Sequence, residues 1–436
     1  MIREEFLHFL WKYNLFDPEY LYYKNQKIEV VDTGQHNMSS GPDFFNARIR
    51  IGETLWAGNV EIHVKASDWF VHNHESDPAY DNIILHLVYD PDIAVYRNNG
   101  EEIPFARLAF HPRLIKKYQE LITEKEDRKC YSFFSKTDGV FYQDWIGKLG
   151  INRIERRVGE LRCDLEETDF DWEETLYRLL AAAFGTKQNR DPFILLARAV
   201  PLKFVYKYRE NPVVLNAAFF GQAGFLDETL TDDHYYSKLQ KEYNIQRLNL
   251  PEALPGKHLW KLMRARPPAF PSVRIPQFIQ MVKQIFPFVE NLKRLRTAKE
   301  LRNYMKNAVS NYWTEHFLYG QSGRRKEYIP STATCNLWIL NAIIPFIFTF
   351  GKIRNQEEFM QLSLKLLEEL PAENNEILKK WNKFGVIAKS AFDSQALIEL
   401  KTRFCDMERC TECMIGHKIL LDAEKKRQNE KTGRKA

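Results

Sequence analysis

Residues 30–89, VVDTGQHNMSSGPDFFNARIRIGETLWAGNVEIHVKASDWFVHNHESDPAYDNIILHLVY, hold five of the eleven histidines in the chain, and their reading decides the fold. Within them, Asn59-Val60-Glu61-Ile62-His63-Val64-Lys65 alternates with the period of a strand, so Val60, Ile62 and Val64 share one face and Glu61, His63 and Lys65 the other. The first face is fit for a core. The second either meets water or builds a site. Upstream, Gly41-Pro42-Asp43 leads into Ala47-Arg48-Ile49-Arg50-Ile51 and a turn at Gly52-Glu53. This spacing predicts a hairpin with Asp43 entering one strand and Glu61 on the returning one. Carboxylates brought that close repel unless a cation lies between them, and a hard divalent ion, Mg²⁺ or Mn²⁺, fits such a pair. His63 or Lys65 on the same face would then position or deprotonate an attacking water.

Downstream come Ser67-Asp68-Trp69, His72-x-His74-x2-Asp77-x2-Tyr80 and a strand over 83–88. His72, His74 and Asp77 have loop spacing suited to metal ligation, which with His63 makes zinc the alternative cation. Such loops also arise from hydrogen-bonded structural histidines. His86, mid-strand among aliphatics, reads on its own as a satisfied core histidine.

A length of 436 residues predicts two or three domains, and the formal charge of +5 permits a nucleic-acid partner without requiring one. Residues 1–16 read as an amphipathic helix with Ile2, Phe6, Phe9, Leu10 and Tyr13 on one face, not as a secretory signal. The longest apolar run, 337–350, is interrupted by Asn341 and Pro345; it is too short to cross a bilayer and reads as a buried helix. A cytoplasmic protein without membrane association is expected. The turn Asn98-Asn99-Gly100 predicts a hairpin between 94–96 and 103–108 that extends the sheet. From Pro112 onward the pattern turns helical, over 114–123, 141–161 and 172–184, with proline breaks beyond. The expected class is α+β: a mixed β-sheet domain over 1–125, a large all-α region over 126–400, and a cysteine-bearing basic end over 401–436. Arg264, Arg266, Arg274, Lys293, Arg294, Arg296, Lys299 and Arg302 would line a phosphate-tracking groove or form a solvated basic face.

Cys405-x4-Cys410-x2-Cys413 is the second sharp signal. Three closely spaced cysteines in a cytosolic chain point to metal rather than disulfides. A fourth ligand, from Cys130, Cys335 or His417, would complete tetrahedral zinc or an iron–sulfur cluster. Cys163 reads as a plain helical residue.

Pro42-Asp43 followed by Glu61-x-His63 resembles the PD-(D/E)XK nuclease superfamily, with His63 where that pattern expects lysine. The resemblance implies a restriction-endonuclease-like sheet domain and metal-assisted hydrolysis of a nucleic-acid phosphodiester. The alternatives are a zinc hydrolase built on His63, His72, His74 and Asp77, and a non-catalytic nucleic-acid or protein binding module on an inactive nuclease fold. Some nucleases of this superfamily hold an iron–sulfur cluster on one remote cysteine and a C-terminal trio. The whole chain also resembles a bacterial family known as domain of unknown function 2851. The stretches that carry this are Gly-Pro-Asp-Phe at 41–44, Gly-Asn-Val-Glu-Ile-His at 58–63, Ser-Asp-Trp at 67–69, the histidine motif from His72, Phe-Gly-x3-Asn at 184–189, Phe-Gly-Gln-Ala-Gly at 220–224, Arg-Pro-Pro-Ala-Phe-Pro at 266–271 and the C-terminal cysteines. That family places a cysteine near Cys130, which favours it as fourth ligand, and its name assigns no activity.

Overall fold

The computed structural model describes residues 2–97, 99–123, 130, 139–227, 232–254, 256–261, 270–291, 294–306, 312–322 and 328–431. The chain divides into two compact units. The first comprises Met1–Trp145, Lys383–Val386 and Leu400–Ala436, and the second Ile146–Asn382 and Ile387–Glu399.

The first unit is built on a mixed sheet. Strands β1 (Tyr22–Tyr23), β2 (Gln26–Asp32), β3 (Gln35–His36), β4 (Phe44–Ile51), β5 (Thr54–Lys65), β6 (Ile83–Asp90) and β7 (Phe105–Arg107) lie in the order β1-β2-β4-β5-β6-β7, with β3 on β4. The pairs β2–β4 and β4–β5 are antiparallel, the latter closing where Ile51 faces Thr54 across the Gly52-Glu53 turn. The pairs β5–β6 and β6–β7 are parallel. Parallel strands are covered on both faces, and β6 reads accordingly as the unbroken run Ile-Ile-Leu-His-Leu-Val, all buried.

Helix α1 (Glu4–Lys12) lies against β5, and α3 (Pro112–Thr123) packs with the C-terminal helix Met414–Lys431. Together with the sheet they enclose one core, into which Val60 and Ile62 point beside Phe44, Ile49, Leu85 and Leu87. Phe6 of α1 stacks on Tyr118 of α3 with ring centroids 4.4 Å apart. Besides Phe6, Phe9 and Leu10, helix α1 buries Leu7 and Trp11, a wider apolar face than the sequence predicts.

Glu61 and His63 are also buried, 4% and 1% exposed, so the polar face of β5 does not meet water. A short helix α2 (Asp68–Val71) and two 3-10 turns, His74–Ser76 and Pro78–Tyr80, lie over it. Trp69, Tyr80, Ile83, Val88, Val95 and Ile103 form a small second core on that side.

Gly58 makes the β5–β6 contact sterically feasible. A Cβ there would stand 2.4 Å from Ile84 Cγ2 and 2.8 Å from the Asn82 carbonyl oxygen, while one on Gly147 would meet nothing within 4 Å. Overpacking of this kind costs about 1–3 kcal/mol. Gly58→Ala is therefore expected to lower the melting temperature by several degrees in a calorimetric scan, and Gly147→Ala to leave it unchanged or raise it.

Two expectations are modified. Residues 94–103 pair through one antiparallel bridge, Tyr96 with Glu102, and a bond from Ile103 N–H to the Val95 carbonyl; the sheet itself is extended by β7, parallel to β6. Asn98 of that turn lies outside the described residues. The apolar run 337–350 belongs to a longer helix, Thr332–Arg354, of 23 residues, with a π-helical segment at Ile339–Ile343. It is long and apolar enough to cross a membrane, but 67% of its apolar window is buried inside the protein.

Among its described residues the second unit is helical with a two-stranded ribbon, His316–Leu318 with Gln321–Ser322. Its core brings Phe184 of helix Trp172–Ala199 face to face with Trp338, centroids 3.6 Å apart. The Phe-Gly-x3-Asn motif is structural here: Asn189 accepts a bond from the Lys261 N–H and donates one to its carbonyl, across a kink at Thr186. Arg274 is buried over the Trp338 ring and bonded to Gln277, so it does not line an open groove. Arg302 is bonded to Asn336, and Arg296 pairs with Glu358. Arg264, Arg266 and Lys293 lie outside the described residues.

Candidate metal centre

A bulge sets up the site. Phe44 pairs with Val60 but Ala47 with Gly58, so β4 carries an extra residue there, and Asn46 takes a left-handed φ of 57°. The kink turns Asp43 across β5. The Ile62 N–H donates to Asp43 Oδ2 at 2.9 Å and the Asp43 N–H donates to Glu61 Oε2 at 3.1 Å, which sets the two carboxylates side by side. Burial, and then the charge of Asp43, push the Glu61 carboxyl up to about 9 against the pull of the Asp43 amide.

Histidines crowd the other side of Glu61. Its Oε1 lies 3.2 Å from His74 Nε2 and 3.6 Å from His63 Nε2. His63 Nε2 is 3.1 Å from His72 Nδ1, and its Nδ1 is 2.8 Å from His86 Nε2. One ring nitrogen each from His63, His72 and His74 falls within 4.8 Å of the others. Ligand nitrogens of a tetrahedral zinc site, at ~2.0–2.1 Å from the metal, stand roughly 3.3 Å apart. Burial, reinforced by neighbouring imidazoles, lowers His63 to about 2; burial also lowers His86 to about 3 and depresses His74. These rings are neutral at physiological pH, the form that binds metal.

Local backbone aims them. His72 closes α2, Asn73 follows with a left-handed φ of 58°, and His74 opens the next turn, so both imidazoles face the sheet. His74 stacks on Tyr80 with centroids 3.8 Å apart. Asp77 stands outside the trio, its Oδ1 accepting the Ala79 N–H to cap the Pro78–Tyr80 turn. Lys65 is exposed at the end of β5, close enough to Asp92 to help hold that carboxyl low, an effect led by Ser67.

His8 is a member of the site that no motif announces. On α1, its Nε2 sits 3.1 Å from Asp43 Oδ2. Burial alone would lower the His8 pKa, but Asp43, Glu4 and Glu61 outweigh it and hold it above the usual imidazole value. The available signal was Glu4, His8 and Lys12 at i, i+4 spacing on the polar face of an amphipathic helix. Three buried ring nitrogens, His8 Nε2, His74 Nε2 and His86 Nδ1, make no aligned hydrogen bond. Buried polar atoms in that state call for an explanation, and a cation among His74, Glu61 and their neighbours supplies one. Beside His8 opens a cleft of about 520 Å³ walled by Phe9, Lys12, Tyr13, His36, Met38 and His417.

The cysteines stand elsewhere in the same unit. Cys405, Cys410 and Cys413 are buried and line one small cavity with Cys130. His417 is not part of it, since its Nδ1 meets the Tyr13 hydroxyl and its Nε2 the Thr411 carbonyl. Cys335 belongs to the core of the helical unit, and Cys163 is exposed.

Residues 4–376 match the family described as protein of unknown function (DUF2851). The chain belongs to this family. The match takes in the whole carboxylate–histidine site and ends before the cysteine trio. No curated protein and no solved structure matches the chain.

Proposed function

We propose that the N-terminal unit is a metal-dependent hydrolase of nucleic-acid phosphodiester bonds, with the metal held by His63, His72, His74 and Glu61. The observation that carries this is the convergence of three imidazole nitrogens within 4.8 Å, with the Glu61 carboxylate 3.2 Å from one of them. A donor set of imidazoles with one carboxylate suits Zn²⁺ or Mn²⁺ better than the Mg²⁺ that two carboxylates alone would favour. Bound there, such an ion would polarise a phosphoryl oxygen and lower the pKa of a coordinated water.

The remaining residues fit a phosphate ester. His8, held toward its cationic form by Asp43, is placed to bind a phosphate oxygen and to return a proton to the departing alkoxide. Lys12, one helical turn further along the same cleft, adds a second cation, and the partly exposed Tyr13 and His36 offer ring faces to unstacked bases. The adjoining carboxylates on antiparallel strands support the likeness to PD-(D/E)XK nucleases, and His63 at the lysine position acts as a ligand in this reading.

The test is hydrolysis of a labelled single-stranded oligonucleotide and of bis(p-nitrophenyl) phosphate, with Zn²⁺, Mn²⁺ or Mg²⁺ added to stripped protein. Turnover should need Zn²⁺ or Mn²⁺, and His8→Gln should cut kcat on the oligonucleotide by ~10²-fold or more, as removal of a general acid does. Protein that binds metal stoichiometrically yet cleaves neither substrate would sink the hydrolase. One observation favours a second reading, a binding module that does not cut: both ring nitrogens of His63 are engaged, so the ring cannot shuttle a proton in place of lysine. Oligonucleotide binding without cleavage would select it.

A further inference from the structure

We infer that Cys130, Cys405, Cys410 and Cys413 form a second metal centre, a four-thiolate site for a single zinc ion or an iron–sulfur cubane, which ties the C-terminal segment to the first unit. This site stands apart from the histidine centre and does not depend on the hydrolase reading.

The geometry begins in the backbone. The segment Leu400–Cys405 ends in a π-helical turn, and the chain then winds tightly, with the Arg409 N–H bonded to the Phe404 carbonyl and the Cys410 N–H to that of Glu408. Glu408 takes a left-handed φ of 57°. Cys413 immediately precedes helix Met414–Lys431, and its carbonyl accepts the His417 N–H. Gly416 fixes the close approach of these pieces: a Cβ there would stand 2.0 Å from the Cys410 carbonyl oxygen. The x4 and x2 spacings thus bring three cysteines to the wall of one small cavity instead of spreading them along a helix.

Cys130 arrives from a distant part of the sequence and lines the same small, partly open cavity, completed by Leu121, Phe404, Arg409 and Gly416. The Cys410 sulfur lies 3.7 Å from the Leu121 carbonyl of α3. No disulfide joins any of the four. A buried cysteine is commonly a small apolar filler, but filler does not account for four of the six cysteines meeting on one wall.

N–H groups approach the Cys413 sulfur. Burial on balance pushes the Cys413 thiol up, while the Gly416 and Ile415 amides and the Trp145 indole N–H pull the other way. The Trp145 nitrogen is buried and has no aligned partner. N–H groups around a ligand sulfur are the usual outer support of a metal–thiolate bond. Arg409, paired with Glu412 and lying over the Phe404 ring, closes the cavity wall.

The test uses full-length protein purified without air. Wild type should contain zinc, or iron with sulfide and a broad visible charge-transfer band, and X-ray absorption at that metal should show sulfur neighbours. This arm needs no mutant and is unaffected by misfolding. Cys130→Ser and Cys410→Ser should each lose that metal, whereas the exposed Cys163→Ser keeps it. His72→Ala should leave it in place, which separates this site from the histidine centre. Nitrogen or oxygen scatterers at every bound metal, full retention in Cys130→Ser, or wild type holding no metal with all four thiols titrating freely would each overturn the assignment.

Discussion

His63→Ala is expected to abolish stoichiometric Zn²⁺ or Mn²⁺ binding at the N-terminal centre and, with it, any metal-dependent hydrolysis. The ring stands between His72, Glu61 and His86 at 3.1, 3.6 and 2.8 Å, so one truncation removes a ligand, loosens a second and leaves His86 without its partner. Loss of an outer partner alone weakens metal binding about 10–100-fold, and loss of a ligand costs more. His86→Gln, which removes only that outer partner, should fall in the 10–100-fold range. His36→Ala, on the cleft wall, should bind metal as wild type does. Competition against a chromophoric chelator reads all three. A His63→Ala protein that keeps wild-type affinity at its non-cysteine site would show that the imidazole trio holds no metal. Leaving His86 Nε2 without its partner also costs about 1–3 kcal/mol of stability, so the folded fraction must be confirmed by circular dichroism alongside.

How much of this could be read in advance follows from the reach of sequence periodicity. The alternation at 59–65 places Val60 and Ile62 in the core, because a strand's period of two is local and strict. The hairpin joining Asp43 to Glu61 was legible for the same reason, since its turn lies between two adjacent strands. Burial of Glu61 and His63 was not legible. It depends on residues 66–80 folding back over the sheet, and an alternating strand looks the same under water or under a lid. Nor could spacing alone assign Asp77, whose carboxylate serves the turn while Asn73, by taking a left-handed conformation, aims His72 and His74 inward. His8 and Cys130 join their sites from remote segments, and only tertiary packing brings them there. The helix at Thr332–Arg354 shows the opposite limit: Asn341 and Pro345 interrupt the apolar run but not the helix, because a π-helical turn absorbs them.

Glu61→Gln is expected to remove metal binding while stabilising the metal-free protein at alkaline pH. The Glu61 carboxyl, raised from 4.5 to about 9 by burial and by Asp43, keeps in the native state a proton that the unfolded chain releases. Between these values the native state binds more protons, so metal-free stability falls as pH rises. The neutral amide is free of this penalty. Every tenfold difference in proton affinity between the native and unfolded states is worth about 1.4 kcal/mol, and allowing for relaxation of the site the gain at pH 8 should be on the order of 2 kcal/mol, shrinking to nothing near pH 4. His63 and His86 act in the other direction. Their native pKa values, about 2 and about 3, lie below the ordinary 6.5, so the stability they confer is present above pH 6.5 and lost as pH falls. The metal-free wild type should therefore melt highest near neutrality and lower on both sides, and Glu61→Gln should flatten only the alkaline side. Zinc should restore the alkaline side in wild type, because binding the ion keeps Glu61 as a carboxylate and the imidazoles neutral. Melting temperatures between pH 5 and 9, with and without metal, provide the check. A metal-free wild type whose stability rises steadily toward pH 9 would mean that Glu61 is ionised in the native state and that the crowding of Asp43 against it is relieved in some other way.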